Sequence, residues 1–440
     1  MHWGGSSCEG LRWITMRVLM VIPRYLPFPR GVCGVPVVTW SLVKSLLDRG
    51  HTATVCTFQG SDRDRHRGEA LRFLASLGVG VHDLDEGASV RRIGSPMRQR
   101  LALLRRGLIP RVADFYPGVR HGAALQGLIR RERPDVLYAF DFSAAASLSL
   151  LDDLPPLLTA VVNLDHVVHE VDQGGEAKGA KAIVRRALDR AARRRLPAWE
   201  VRVLLPSRRV VAHAAHHGAW LRKKGVADCL YLPNPVVDAI GPGCHRLRGQ
   251  IQASKSKPVI LFVGRLDSTI NRPALAMLAR EILPVLEEEL GKEGFELHIV
   301  GQGDLREDVA HRLRRPSVLF KGYVEDIKPE FLGCHVLIVP TPSELGFRTR
   351  VAEGFSYGCC VVSHSSNALG MPELVHEDNA LLAASGRELA LEVVRAVRDR
   401  ELRGRLEKRA RETYEERLEA GKVAGRIVSE MEAIVGGKKG

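Results

Sequence analysis

No window of the chain offers the ~18 uninterrupted apolar residues that a membrane-spanning helix requires. No CxxC pair occurs among the eight cysteines, and their spacing does not repeat. This argues against a zinc site or a disulfide framework and points to a reduced, cytoplasmic setting. The adjacent Cys359 and Cys360 read as small apolar residues of a buried strand. No GxGxxG follows the first strand with an acidic residue about 20 positions further on, which sets aside the dinucleotide oxidoreductases. Residues 1–15 lack any strand or helix pattern, whereas residues 16–23 read as a natural first strand. The opening stretch is therefore expected to be an upstream extension. A signal peptide is disfavoured, because Arg12 and Arg17 break the apolar run and no small-residue cleavage site follows.

Acidic residues are short in the first half alone. Residues 1–240 hold 35 Lys and Arg against 22 Asp and Glu, while residues 241–440 hold 30 against 29. The surplus concentrates in residues 91–111 and 184–224. A general solubility effect would not be so one-sided, so this half is expected to face something anionic. A membrane surface, a phosphorylated lipid or glycolipid, and nucleic acid all fit. The plainer reading, a solvated Arg-rich helix near residues 184–195, stays open.

A chain of 440 residues, 45% hydrophobic, exceeds one core and implies two domains of roughly 200 residues each. Short apolar runs at residues 18–22, 52–57, 136–140, 157–163, 201–205 and 229–232 alternate with helical stretches, including 178–195 and 208–224. A polar, Pro- and Gly-rich segment over residues 233–257 reads as a linker. The alternation restarts with strands at 259–263, 296–300, 318–321, 335–339 and 360–363, followed by a charged helical tail. Strands of this kind predict parallel sheets with helices on both faces. Ligands then bind beyond the carboxyl ends of the strands.

The most telling stretch is residues 339–363, VPTPSELGFRTRVAEGFSYGCCVVS. Strand, loop and helix in this order bring backbone N–H groups and a positive helix end to where a phosphate can sit. Glu344 and Glu353 offer carboxylates for sugar or ribose hydroxyls, and Arg348 and Arg350 offer cations for a diphosphate. A nucleotide sugar satisfies both. Arg265, in Gly264-Arg265-Leu266-Asp267, follows the first strand of the second half and reads either as a diphosphate contact or as a surface arginine capping a helix. Gly301-Gln302-Gly303 is a tight turn that admits a ligand close to the backbone, or a plain loop. Asp326 reads equally as an N-cap or a ligand contact.

Taken in order, PNPVVD (233–238), FVGRLD (262–267), VGQGDLRE (300–307), GYVED (322–326) and the 339–363 segment resemble a GT-B fold glycosyltransferase of the family 4, glycosyl transferases group 1 type. The resemblance covers residues 16–435. It implies two Rossmann-like α/β domains facing across a cleft. Residues 16–235 would be the acceptor-binding domain and 255–415 the nucleotide-sugar-binding domain. Residues 416–440 would form a helical tail packed back on the first domain. It also implies retention of anomeric configuration, a UDP- or GDP-sugar donor and no metal. The acceptor would be a glycan or lipid-linked glycan of lipopolysaccharide or exopolysaccharide type. The protein would work in the cytoplasm, against an anionic inner membrane face, without nucleic acid.

Carried over residue by residue, the resemblance gives Glu353 the donor ribose and Arg265 the diphosphate. Gly264, Gly301, Gly303, Tyr323 and Val324 would flank the nucleotide, as would the Gly346, Phe347, Arg348, Thr349 and Arg350 run. Gly31 and Gly34 match the glycine pair near the donor phosphate, and His166 a residue beside the transferred sugar. Two departures stand out. The family lysine five positions after Arg265 is Ile270 here, with Arg272 nearby as a substitute. The usual E-x7-E spacing from Glu353 lands on Leu345, so Glu344 fills the first-glutamate role only if the loop absorbs one residue. A non-catalytic relative and a nucleotide-sugar epimerase or hydrolase remain as alternatives.

Overall fold

The computed structural model describes residues 15–29, 34–58, 66–85, 121–171, 193–241 and 243–437. The first sheet is wholly parallel. Its strands are β1 (Arg17–Val21), β2 (Thr52–Thr57), β3 (Gly80–Asp83), β4 (Val136–Phe140), β5 (Leu157–Val161), β6 (Arg209–Ala212) and β7 (Cys229–Tyr231), in the order β3-β2-β1-β4-β5-β6-β7. The second sheet has β8 (Val259–Val263), β9 (Glu296–Val300), β10 (Val318–Gly322), β11 (Val336–Val339), β12 (Val361–His364) and β13 (Leu381–Ala383). It is also parallel, in the order β10-β9-β8-β11-β12-β13. Central strands such as β4 and β11 are buried along their whole length, as helices on both faces demand. This is the expected pair of Rossmann-like domains.

The order reverses between β1 and β4 in one sheet and between β8 and β11 in the other. Crevices open at such switch points, beyond the carboxyl ends of the strands. The last helix, Ala420–Val435, returns to the first domain, where Val423, Ile427, Val428 and Met431 enter the core beneath β1 and β4. Arg49 ties it down through Glu432 (3.1 Å) and the Gly425 carbonyl (2.9 Å). At the crossing, Val236 N–H donates to the Leu418 carbonyl (3.1 Å) and Tyr414 Oη to the Val236 carbonyl (2.9 Å).

The short edge strands β3 and β13 have no counterpart in the sequence reading, and one stretch contradicts it. The run 201–205, expected as a strand, instead ends the helix Leu196–Leu204, and the strand falls at β6, inside what reads as a helix over 208–224. Leu196, Trp199, Val203 and Leu204 are buried at helical spacing behind a first-turn proline, a stripe that outweighs the β-like Val-Arg-Val-Leu-Leu run. The basic stretch 91–111, Gly31 and most of the helix expected over 178–195 lie outside the described residues.

Candidate active site

Three loops at the carboxyl end of the second sheet are knitted together through the backbone. Gly264 N–H donates to the Val300 carbonyl, Leu266 N–H to the Gln302 carbonyl and Gly301 N–H to the Gly322 carbonyl, at 2.8–2.9 Å. The chains meet so closely that a Cβ on Gly301 would lie 2.0 Å from the Gly264 carbonyl oxygen. A Cβ on Gly303 would lie 2.6 Å from the Asp267 carboxylate. Arg265 projects from this floor, its side chain 64% exposed and paired with Asp267 at 2.8 Å. The electrostatic influence of Tyr25 on Arg265 brings the first domain to the same spot.

Beside the floor stands the helix Thr349–Ser356, which presents Arg350 and Glu353 one turn apart. Arg350 Nη2 donates to Asn271 Oδ1 (2.9 Å), and Asn271 Nδ2 donates to the Arg265 carbonyl (2.8 Å). The same guanidinium lies 2.9 Å from where a Gly264 Cβ would be and rests over the Phe262 ring. Its Nη1 is buried with no hydrogen-bond partner among the described residues. Asn271 is a residue the sequence reading missed. Only its burial at a strand-loop-helix junction marks it, and burial is not visible in one sequence.

Burial pushes the Glu353 carboxyl from 4.5 up to about 7, partly offset by Arg350. An acid whose pKa is higher in the folded chain holds more protons when folded. Stability then falls as pH rises from about 4.5 to about 7 and stays reduced above that. Glu353→Gln removes this titration. Its stability relative to wild type is expected to be up to about 3 kcal/mol more favourable at about pH 8 than at about pH 5. Urea denaturation at both pH values measures it, and an unchanged difference would contradict a buried carboxyl.

The loop before this helix is held from two sides. Arg348, nearly buried, donates to Asn367 Oδ1 (2.5 Å) and the Ser343 carbonyl (2.8 Å), so its side chain braces the loop. Phe347 packs into the core beneath, and Thr349 is exposed. From the first domain, His216 Nε2 lies 2.5 Å from the Glu344 carbonyl oxygen. Gly346, at φ +55°, would drive a Cβ to 2.0 Å from Asn163 Oδ1. The Glu344 side chain is exposed at this junction.

His166 lies in the first turn of the helix Asp165–Val171 after β5, and its Nδ1 lies 2.5 Å from Glu200 Oε2. Glu200 is fully buried and also accepts the His166 N–H (2.7 Å). The His166 ring packs against Trp220. His217 is pushed down to about 3, first by burial and then by His216 and His166, with the Glu344 backbone opposing the shift. Tyr323 is 66% exposed just past β10, with Val324 half-buried beside it. Asp326 Oδ1 accepts the Lys328 N–H (3.1 Å), an N-cap-like contact. Arg272 is exposed, and Gly34 opens the first helix of the first domain.

Two parallel sheets whose switch-point loops meet in this way have the GT-B architecture of nucleotide-sugar glycosyltransferases. Residues 257–399 match the family model described as Glycosyl transferases group 1. No curated protein sequence matches the chain. Solved structures do. A sucrose-phosphate synthase from Thermosynechococcus elongatus superposes with a TM-score of 0.67 at 16% identity, covering 96% of this chain and 100% of that one. HepE of Anabaena, in complex with UDP and glucose, gives 0.61 at 16% identity, over 95% and 100%. A glycosyltransferase from Rickettsia africae gives 0.63 at 12% identity, over 96% and 99%. Part of the second domain thus matches the glycosyl transferases group 1 model, and the two sheets together have the GT-B fold.

Proposed function

We propose that the protein transfers a hexose-type unit from a UDP- or GDP-sugar to a hydroxyl of a glycan or lipid-linked acceptor, with retention and without a metal. One observation carries this reading: Arg350 and Glu353, half-buried on one helix face, stand beside the glycine floor that presents Arg265. A diphosphate fits the two guanidinium groups, and the ribose hydroxyls fit the Glu353 carboxylate. Arg350, whose Nη1 is unsatisfied, takes the part of the lysine that Ile270 replaces, and the exposed Arg272 stands further out. The base lies along Tyr323 and Val324, near Gly301 and Gly303. Backbone from Gly346 to Thr349 faces the sugar, with Glu344 and His166 beside it. Gly34, which opens the first helix of the first domain, is assigned to the donor phosphate and the acceptor.

In the reaction the sugar–phosphate bond breaks as the acceptor oxygen attacks from the same face. The acceptor proton passes to the leaving diphosphate, whose growing charge Arg265 and Arg350 stabilise. Support for UDP comes from HepE, solved with UDP and with UDP-glucose, and from a TarM variant of S. aureus, solved with UDP and α-GlcNAc-glycerol. WaaB, a lipopolysaccharide outer core galactosyltransferase, has a similar fold at 14% identity and suggests a glycan acceptor. No helix among the described residues is long and apolar enough to cross a membrane. The basic first half suits a peripheral site on the anionic cytoplasmic face.

A thermal-shift panel of UDP, GDP, ADP and their sugars tests the donor. A ligand at 100 times its Kd adds about 2.7 kcal/mol to folded-state stability. One nucleotide series is expected to raise the melting temperature by several degrees. No shift with any of them would overturn the reading.

A further inference from the structure

The donor reading gives a diphosphate two guanidinium groups, Arg265 and Arg350, which stand on different elements. One neutral side chain joins them. Asn271, the first residue of the helix Asn271–Met277, is 3% exposed and spends its amide in both directions. Its Nδ2 donates to the Arg265 carbonyl (2.8 Å), and its Oδ1 accepts from Arg350 Nη2 (2.9 Å). Its own N–H donates to the Ser268 carbonyl (3.0 Å), so the residue is fixed within the loop that carries Arg265.

Gly264 makes room for this pairing. A Cβ there would lie 2.7 Å from Asn271 Nδ2, 2.9 Å from Arg350 Nη2 and 3.0 Å from Arg350 Nη1. The Phe262 ring supports the guanidinium as well, with Arg350 Cζ 5.7 Å from its centroid. Asn271 takes Nη2, while Nη1 has no hydrogen-bond partner among the described residues. Burial pulls Arg350 down to about 10, with Glu353 opposing, so the cation gains from an anion placed against it. An arginine is long and rotamer-rich. Held by the amide, the glycine gap and the ring, this one is ordered before a ligand arrives.

We propose that Asn271 is a positioning residue: by fixing the Arg350 guanidinium relative to the Arg265 backbone, it makes the site prefer a nucleoside diphosphate to the nucleoside monophosphate. This rests on the donor reading for the ligand itself. A monophosphate needs one cation and is served by either arginine alone. Two linked phosphate groups need both cations at once, and without Asn271 the Arg350 side chain would have to be ordered during binding. A plain structural brace would behave differently, since its loss would weaken every nucleotide alike.

Titration calorimetry of UDP, UMP, GDP and GMP into the full chain tests it, with melting curves for every variant. Wild type is expected to bind the diphosphate of one base more tightly than its monophosphate. Asn271→Ala is expected to cut that preference by about tenfold, the scale of one hydrogen bond to a charged group, while monophosphate affinity stays within about threefold. In an Arg350→Met background, which keeps an apolar stem over Phe262, Asn271→Ala should lower the preference no further, because the two residues act as a unit. Should Asn271→Ala fail to fold, Asn271→Ser keeps a polar group at the buried helix start and carries the same expectations. An equal loss for both ligands, or the same drop in preference with and without Arg350, overturns the inference and leaves the donor reading standing. No binding of any nucleotide to wild type overturns the donor reading, and this inference with it.

Discussion

Gly301→Ala is expected to destabilise the protein by about 2–6 kcal/mol and to abolish nucleotide binding in whatever fraction remains folded. The new Cβ would sit 2.0 Å from the Gly264 carbonyl oxygen, 2.8 Å from its carbon and 3.5 Å from the Arg265 nitrogen. All three are backbone atoms, so no side chain can rotate away. At φ +145° the residue is also in a region that alanine rarely occupies. Relief requires the 264–266 loop to move, breaking the bonds Gly264 makes to Val300 and Leu266 makes to Gln302. Those bonds aim Arg265. Gly404→Ala is the control, since it lies exposed within the helix Arg400–Thr413 with nothing within 4 Å of its Cβ position. It is expected to be neutral or to stabilise by about 0.4–1 kcal/mol. Urea melts and a UDP titration of both variants measure the contrast, and equal behaviour would contradict the close approach.

Arg265→Ala is expected to act in the opposite way, on rate and not on stability. The guanidinium is mostly exposed, and among the described residues its only hydrogen-bond partner is Asp267, two residues away. Exposed pairs of this kind contribute little, so the melting temperature should hardly change. The loss falls on the transition state, where charge grows on the leaving diphosphate. Removing one such preorganised donor typically costs about 10²–10³ in kcat. Arg265→Lys is expected to recover only part of this, because an ammonium offers a point charge in place of a planar fork. Steady-state transfer kinetics with matched melting curves check it. A loss of less than about threefold with unchanged melting would move the diphosphate elsewhere.

Much of the architecture is legible in the sequence because buried parallel strands are short apolar runs, and five strands of each sheet stand out as such runs between amphipathic helices. β6 fails that rule for a physical reason. Four buried residues, Arg-Val-Val-Ala, suffice in a central strand, and the His and Ala residues that follow it blur it into a helix. The second-domain floor was readable because glycine leaves a visible mark wherever two backbones touch, as at Gly264 and Gly301. Contacts made by a side chain on a facing loop leave no such mark of their own. Asn163 against Gly346, His216 on the Glu344 carbonyl and Asn271 between Arg265 and Arg350 depend on which loops face each other. Arg348 shows the same limit: its position within the motif suggests a ligand contact, while its side chain is spent on Asn367 and Ser343.

The central claim is that Glu353 and its neighbours hold the nucleotide of the donor. Titration calorimetry of UDP and GDP into wild type and Glu353→Ala tests it most directly. The account predicts saturable binding of one nucleotide to wild type and a Kd raised about 10–100-fold in the variant, the worth of hydrogen bonds to a charged carboxylate. Equal affinity in both proteins, or no binding of either nucleotide to wild type, would contradict it.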